Sequence, residues 1–431
     1  MSERRYVRAF TALSALQYLP LGLVVPVEIL IMQARGLGAG EIGIVVAVIG
    51  LTTALLELPT GGLADVVGRR TVLVAGAVVT LGSLLLFATA SDLGLFLLAG
   101  AAFAVGKALE SGPLESWFVD AVHDIHPPGE RRDATLTLGL GRAGTATGLA
   151  LAAGAVGGGL VAELARRGGL PSDGITALVA LSVPLLVGAL LLVVHVVALL
   201  VLMDPHPFPR QGLGAVLRGV GPAVADGGRL VVGDGVLRWF GLRWLLIPAG
   251  FLAFEVVTPV RLSGLLSDPA TAAAVLGPLV AVCFVAQGLT AALAPVLRRR
   301  LGGLLAAGLA TASAGASFVL AGAGGLGVLV AALVVAHLVI GPVNALNGPF
   351  LHARVPSNRR ATMLSFESVV ANLSVAAGAI ALGWSVDVGG TPAAFVVAGV
   401  LTALAALPLL GVAAVLRREA ATVGPRQAVT T

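Results

Sequence analysis

Long apolar stretches, each ended by a few polar or charged residues, recur along the whole chain. A helix crosses the hydrocarbon core of a bilayer in roughly 20 residues. Stretches of that length run at about 9–32, 42–63, 71–90, 93–118, 134–164, 175–202, 241–263, 270–296, 302–322, 326–350, 361–386 and 391–415. The pattern predicts an all-α polytopic membrane protein with twelve transmembrane helices. The boundary between the third and fourth spans is marked only by Ser91 and Asp92, and the seventh carries Arg243 near its start. The longest polar interruption, 203–240, divides the spans six and six: residues 1–202 form one half, 203–240 a central linker, 241–418 the other half and 419–431 a tail. Leu213, Val216, Leu217 and Val220 alternate with arginines in the linker, which reads either as a short helix lying on the membrane surface or as a solvated connection.

Composition supports the bilayer as the solvent. Of 431 residues 57% are hydrophobic and 11% charged, against about 25% charged in soluble domains. The net charge of +5 does not point to nucleic acid, because a nucleic-acid binder gathers its positive charge on one face and here the arginines sit in small groups between spans. Those groups test the span count through the positive-inside rule. With the N-terminus inside, the arginines at 4, 5 and 8, at 69 and 70, at 131 and 132, at five positions from 210 to 243, at 298–300, at 354, 359 and 360, and at 417, 418 and 426 are all cytoplasmic. Arg35, Arg166, Arg167 and Arg261 fall outside. This alternation predicts an even number of spans with both termini cytoplasmic; the protein is expected to be a monomer surrounded by the lipid of a bacterial cytoplasmic (inner) membrane. The basic N-terminus resembles a signal peptide, but the apolar run after it is too long, so it reads as a retained first span. The one cysteine, Cys283, gives no disulfide and no thiol metal site.

Glycine, at 58 residues, is too frequent for turns alone. In the fifth span Gly139, Gly141, Gly144, Gly148, Gly154, Gly157, Gly158 and Gly159 would let neighbouring helices approach closely, which predicts a helix packed against several partners.

Ionisable side chains inside spans are costly and therefore point to function. Glu28 lies near the outer end of the first span and Gln17 about three turns earlier on one face; Glu28 either handles a proton or substrate or is wetted from outside. Glu57, before Pro59, and Glu367 lie at similar depths in the second and eleventh spans and would close a gate if those spans meet. Lys107 and Glu110 are three residues apart, the spacing of neighbours on a helix surface, and would neutralise one another as a brace or as a coupling site. Glu115 and Arg142 sit at one depth and would pair. Glu255, between phenylalanines, suits a hydrophobic cation. His337, Asn344 and Asn347, with Pro342 and Pro349 interrupting the helix, make a broken polar face fit for a substrate path; the plain alternative is polar glue between helices. Gln287 is a weaker member of that set.

No cluster of His and carboxylates has metal-ligand spacing and no phosphate-cradling Gly-x-x-x-x-Gly-Lys sequence occurs. No metal or other cofactor is expected, and the energy for any transport would come from an ion or substrate gradient.

One polar turn stands apart: Gly61-Gly-Leu-Ala-Asp65-Val-Val-Gly68-Arg69-Arg70, between the second and third spans, with a degenerate counterpart at Pro295–Gly302 between the eighth and ninth. Repeated halves joined by a linker are a transporter plan. At its Gly, Asp, Gly and Arg positions this turn resembles the signature loop of the major facilitator superfamily (MFS), departing at Val66 where a basic residue is usual. The stretches Gly106–Asp120 and Val355–Phe366 look like the drug-exporter branch, although the fifth span lacks the proline of the antiporters' glycine motif. The resemblance implies the MFS fold, two six-helix halves related by a pseudo-twofold axis. It implies gating by Gly61, Asp65, Gly68, Arg69 and Arg70, with Asp65 engaging a charged partner on the inner end of the fourth helix and the start of the eleventh. It also implies alternating-access antiport, the proton-coupled efflux of a small hydrophobic or cationic compound as in multidrug resistance. The alternatives are proton-coupled uptake symport of a metabolite and a membrane sensor or scaffold derived from a transporter. An enzyme is not expected.

Overall fold

The structure, a computed structural model, describes residues 3–174, 178–204, 213–356 and 359–422. Every regular element among them is helical. The first span is α1 (Glu3–Val24) and α2 (Glu28–Ala34), the second α3 (Ala39–Val67), the third α4 (Arg69–Thr89) and the fourth α5 (Leu93–Glu110) with α6 (Pro113–Ile125). The fifth is α7 (Glu130–Arg167) and the sixth α8 (Ser182–Leu202). Then come α9 (Leu213–Gly233) in the linker, α10 (Gly235–Leu266) as the seventh span, and α11 (Pro269–Ala291) with the short α12 (Ala294–Leu301) as the eighth. The ninth is α13 (Gly303–Ala323) and the tenth α14 (Leu326–Ile340) with α15 (Val343–His352). Finally α16 (Arg360–Leu404) carries the eleventh span and the start of the twelfth, which α17 (Pro408–Thr422) completes.

Among the described residues eleven apolar stretches are long enough to cross a bilayer, and the last runs from Thr362 to Ala421. It turns back at Gly390, whose φ of 72° is non-helical. Ser374 and Ala405, on the two sides of that turn, both meet the same part of α10 through Leu245 and Arg243, so the stretch crosses twice and the total is twelve. Asp92, weak as a boundary mark, is a working N-cap: its carboxylate accepts from the Leu95 N–H at 3.0 Å and satisfies one of the four free donors that begin a helix. Asp234 and Asp268 do the same for α10 and α11.

The two turns matched in sequence share a backbone conformation, with Gly68 at φ 93° and ψ 137° and Gly302 at φ 80° and ψ 150°. A side chain is strained at either φ, so the repeat is fixed by geometry as well as by composition. The linker's later part is a helix, α9, and not only a solvated connection; it seats Gly227 against the Phe366 ring of α16. Residues 205–212 lie outside the described residues.

The halves meet along two seams. In one, α3 lies against α16, with Gly43 beside the Ala379 carbonyl and Gly50 beside that of Asn372. In the other, α7 lies against α11, with Gly159 beside Ala273 and Gly277 beside Ala155. Gly154 and Gly158 on α7 also meet α1 at Gly22 and Leu23, so the glycine-rich span does serve several partners.

The two ends of the molecule differ. At the far face, away from the helix ends Glu3 and Thr422, polar contacts link the halves. The Ser263 hydroxyl donates to Gln33 Oε1 at 2.8 Å, the Gly40 N–H donates to Asp387 at 2.9 Å, and Arg166 stands 3.7 Å from Asp268. At the terminal face each half lines a cavity, and a further cavity lies at the far face between Gln33, Asp173 and Ser263. Among the described residues the far face carries most of the polar links between the halves.

Candidate functional site

A cavity of about 470 Å³ lies between the halves. Glu28 enters it from the first turn of α2, Lys107 from the last turn of α5 and Glu255 from α10. Phe103, Phe254 and Phe284 supply aromatic wall, and Val46, Ile49, Val256 and Val280 much of the remainder. Lys107 lines the same space as both acids. The cavity therefore brings one cation and two carboxyl groups, one from each half, into an apolar enclosure where such charges act far more strongly than in water.

This arrangement corrects two expectations. Lys107 and Glu110 share a helix but form no ion pair: Lys107 faces the cavity while Glu110, 5% exposed, turns to pack on Gly76 of α4. The first span is broken at 25–27, so Gln17 and Glu28 do not extend one continuous stripe. Gln17 donates instead to the Glu110 backbone carbonyl at 3.3 Å.

Two further cavities flank the central one on the terminal side. The N-half cavity, about 690 Å³, is lined by Phe10, Ser14, Gln17 and Tyr18 of α1, by Lys107, Glu110, Leu114 and Glu115, and by Ala143, Gly144 and Thr147 of α7. The C-half cavity, about 410 Å³, is lined by Phe240, Trp244, Ile247 and Pro248 of α10, by Asn344, Asn347 and Leu351 of α15, and by Met363, Leu364 and Glu367 of α16. The spacings repeat. Positions 10, 14, 17 and 18 correspond to 240, 244, 247 and 248; 107, 110 and 114 to 344, 347 and 351; 143, 144 and 147 to 363, 364 and 367. Thus Glu110 has Asn347 as its counterpart, and Thr147 has Glu367.

The expected pairing of Arg142 with Glu115 does not form; both are exposed on the terminal side. The second and eleventh spans do meet, but Glu57 does not face Glu367. Glu57 accepts from Ser368 Oγ at 2.6 Å and Asn372 Nδ2 at 3.3 Å, whereas Glu367 points into the C-half cavity beside Arg243 and Arg360. Neighbouring helix residues diverge by about 100°, which is why 367 and 368 part. His337 is not on an open path: it is 2% exposed, bonded through Nδ1 to the Leu333 carbonyl at 2.9 Å and ringed by Phe251, Phe254 and Phe284. Gln287 is half-buried, with its backbone carbonyl against Gly341.

In the turn, Gly61 and Asp65 lie on the last helical turns of α3; the side chain of Asp65 is outside the described residues. Arg69 forms an ion pair with Asp120 of α6 and donates to the Ser116 carbonyl at 2.5 Å, and Arg70 donates to the Leu200 carbonyl at 2.7 Å. The turn is thereby fastened to the fourth and sixth spans.

Three participants escaped the sequence reading. Ser368 and Asn372, which receive Glu57, give no charge signal. Arg243 did stand out as a charge near a span start, but counting it with the cytoplasmic arginines hid its position. It is 2% exposed and donates to the Ala405 carbonyl and to Thr311 Oγ1 at 3.2 Å.

A sequence model described as Major Facilitator Superfamily matches residues 10–346. Among solved structures, that of the nucleoside transporter NupG aligns with a TM-score of 0.75 at 14% identity, over 94% of this chain and 98% of that one. A bacterial homologue of the human drug peptide transporters PepT1 and PepT2 aligns with a TM-score of 0.67 at 12% identity, over 97% and 100%. A POT family transporter in complex with a thioalcohol-conjugated peptide gives 0.65 at 13%, over 94% of each chain. No curated protein sequence matches. At these identities the structural likeness establishes the fold.

Proposed function

Because the chain belongs to the Major Facilitator Superfamily, we propose that it is an alternating-access transporter exporting a small, largely apolar cation in exchange for protons. The observation that carries this reading is the central cavity, where Glu28 and Glu255 stand on opposite halves among Phe103, Phe254 and Phe284. Aromatic faces and carboxylates both attract an organic cation, and a carboxyl group that takes up a proton loses that attraction. Proton and substrate then favour different states of one site, which is the differential affinity that coupling requires. Lys107, in the same cavity, is a resident cation that the substrate would displace from the acids.

In this reading the terminal face is the cytoplasmic side of an inner membrane, the protein works as a monomer, and the structure is its inward-open state. The halves would rock about the α3–α16 and α7–α11 seams, with the turn at Asp65, Gly68, Arg69 and Arg70 and the Glu57 contact as gating elements. Drug-like compounds are the substrate class favoured by so apolar a cavity.

A second reading, proton-coupled uptake of a small metabolite, is supported by Lys107, whose ammonium would receive a substrate carboxylate. One experiment separates them. In proteoliposomes with an imposed pH gradient, tetraphenylphosphonium should move against the proton flow. Glu28→Gln and Glu255→Gln should each lower that flux at least tenfold. Flux that is insensitive to the gradient, or unaltered in both variants, would remove the coupling assignment; movement of dipeptides or nucleosides with the protons would favour uptake.

A further inference from the structure

The N-half cavity holds two oxygen atoms that the fold leaves without partners among the described residues. One is Oε1 of Glu110, a side chain 5% exposed, and the other Oγ1 of Thr80, 2% exposed. Both residues line the same space, with the two oxygens themselves covered. A buried acceptor left without a donor is costly, and for a carboxyl group more so. No cation of the protein relieves it, since Lys107 makes no ion pair with Glu110. Packing fixes the geometry: Glu110 lies on Gly76 and Thr80 on Gly106, so the two acceptors sit about one helical turn apart along the α4–α5 contact. Gln17 donates to the Glu110 backbone carbonyl from the other side and is also within reach of its carboxyl group, which leaves Oε1 as the unpartnered oxygen.

The repeat sharpens the point. The C-half counterpart of Glu110 is Asn347, whose Oδ1 is also buried and without a partner. There one acid, Glu367, lies in a cavity with two arginines, Arg243 and Arg360. In the N-half two acids, Glu110 and Glu115, lie in a cavity with one lysine, Lys107, so the same frame carries an excess of acid in that half.

We propose that the N-half cavity is a second cation site, distinct from the Glu28–Glu255 cavity, that takes the N–H-bearing ammonium group of an organic amine, with Glu110 and Thr80 as its acceptors. It serves as an antechamber, because Tyr18, Leu21, Phe103 and Lys107 line both spaces and so join them. A ligand moves from Glu110 past Lys107 to the acids of the central cavity. The assignment rests on the cation-transport reading given above, but its test is independent of transport.

Purified full-length protein in lipid nanodiscs would be titrated with two probes. Monodansylcadaverine offers a primary ammonium with N–H donors; tetraphenylphosphonium is a cation without them. The wild type should bind two equivalents of the amine and one of the phosphonium. Glu110→Gln should reduce the amine to one equivalent while leaving phosphonium affinity within twofold, which also shows that the variant is folded. Thr80→Val should weaken the same amine site about tenfold. A single amine equivalent in the wild type, or two retained in Glu110→Gln, overturns the antechamber. If the double variant Glu28→Gln, Glu255→Gln keeps full phosphonium binding, the cation reading of the central cavity falls, and the antechamber stands or falls on Glu110→Gln alone. Binding of neither probe to the wild type overturns both.

Discussion

Arg243 shows how a full charge is kept inside an apolar bundle. A buried cation is tolerated when its donors are met. The carbonyl of Ala405 is available because α16 ends there and leaves its last carbonyls without helical partners; Thr311 on α13 supplies a hydroxyl. One side chain so joins the seventh, ninth and twelfth spans. Arg243→Met removes both hydrogen bonds and the carbonyl's partner, and hydrogen bonds to charged groups are worth about 1.5–3 kcal/mol each. A loss of about 2–4 kcal/mol in the stability of the C-terminal half is expected, visible as a lower midpoint in detergent thermal unfolding. A midpoint equal to the wild type's would mean that the guanidinium contributes nothing net.

Along whole helices, the seams between the halves are made of backbone against backbone. Gly277 of α11 meets the Ala155 carbonyl so closely that even a methyl group requires movement. In lipid such small-residue contacts replace the hydrophobic drive available to soluble bundles. Gly277→Leu should therefore hold the far end of the α7–α11 seam apart, raising the labelling of a cysteine placed at Ala273 by a membrane-impermeant maleimide added from the far side; unaltered labelling would show that the seam yields elsewhere. The same elements mark how far the sequence could be read. Spans, their number and the repeated glycine turn were legible because burial in lipid imposes about 20 apolar residues and a charge rhythm on each crossing. The break at 341–342 was legible from Pro342, although Pro349 stays inside α15; those at 25–27 and 111–112 were not, since Gly and Pro are scattered through most spans and only tertiary packing decides which of them break a helix. The candidate site was legible as a set of residues and illegible as a set of pairs. Glu28, Lys107 and Glu255 converge in one cavity, yet Lys107 leaves Glu110, Arg142 leaves Glu115, and Glu57 finds Ser368 in place of Glu367. Spacing states which face a side chain shares, and which helix lies opposite is a property of the fold.

For the molecule as a whole, a few polar contacts at the far face join the halves beside the α3–α16 and α7–α11 seams. Gln33 and Ser263 are bonded directly there. A Gln33→Cys, Ser263→Cys pair should form a disulfide under mild oxidation, stop transport, and leave the terminal cavities open to reagents from that side. Full transport after complete cross-linking would show that the far face need not open. The far face has another property, set by Gly390. The eleventh span returns as the twelfth through a turn so tight that helix continues on both sides of one residue, and only residues 267–268 and 324–325 separate the spans before it. Much of that surface is helix ends; among the described residues the longest stretch there without helix is 168–174. Proteases and antibodies approaching from that side would find their main foothold in it, so an epitope or affinity tag for detecting the intact protein there belongs in that stretch.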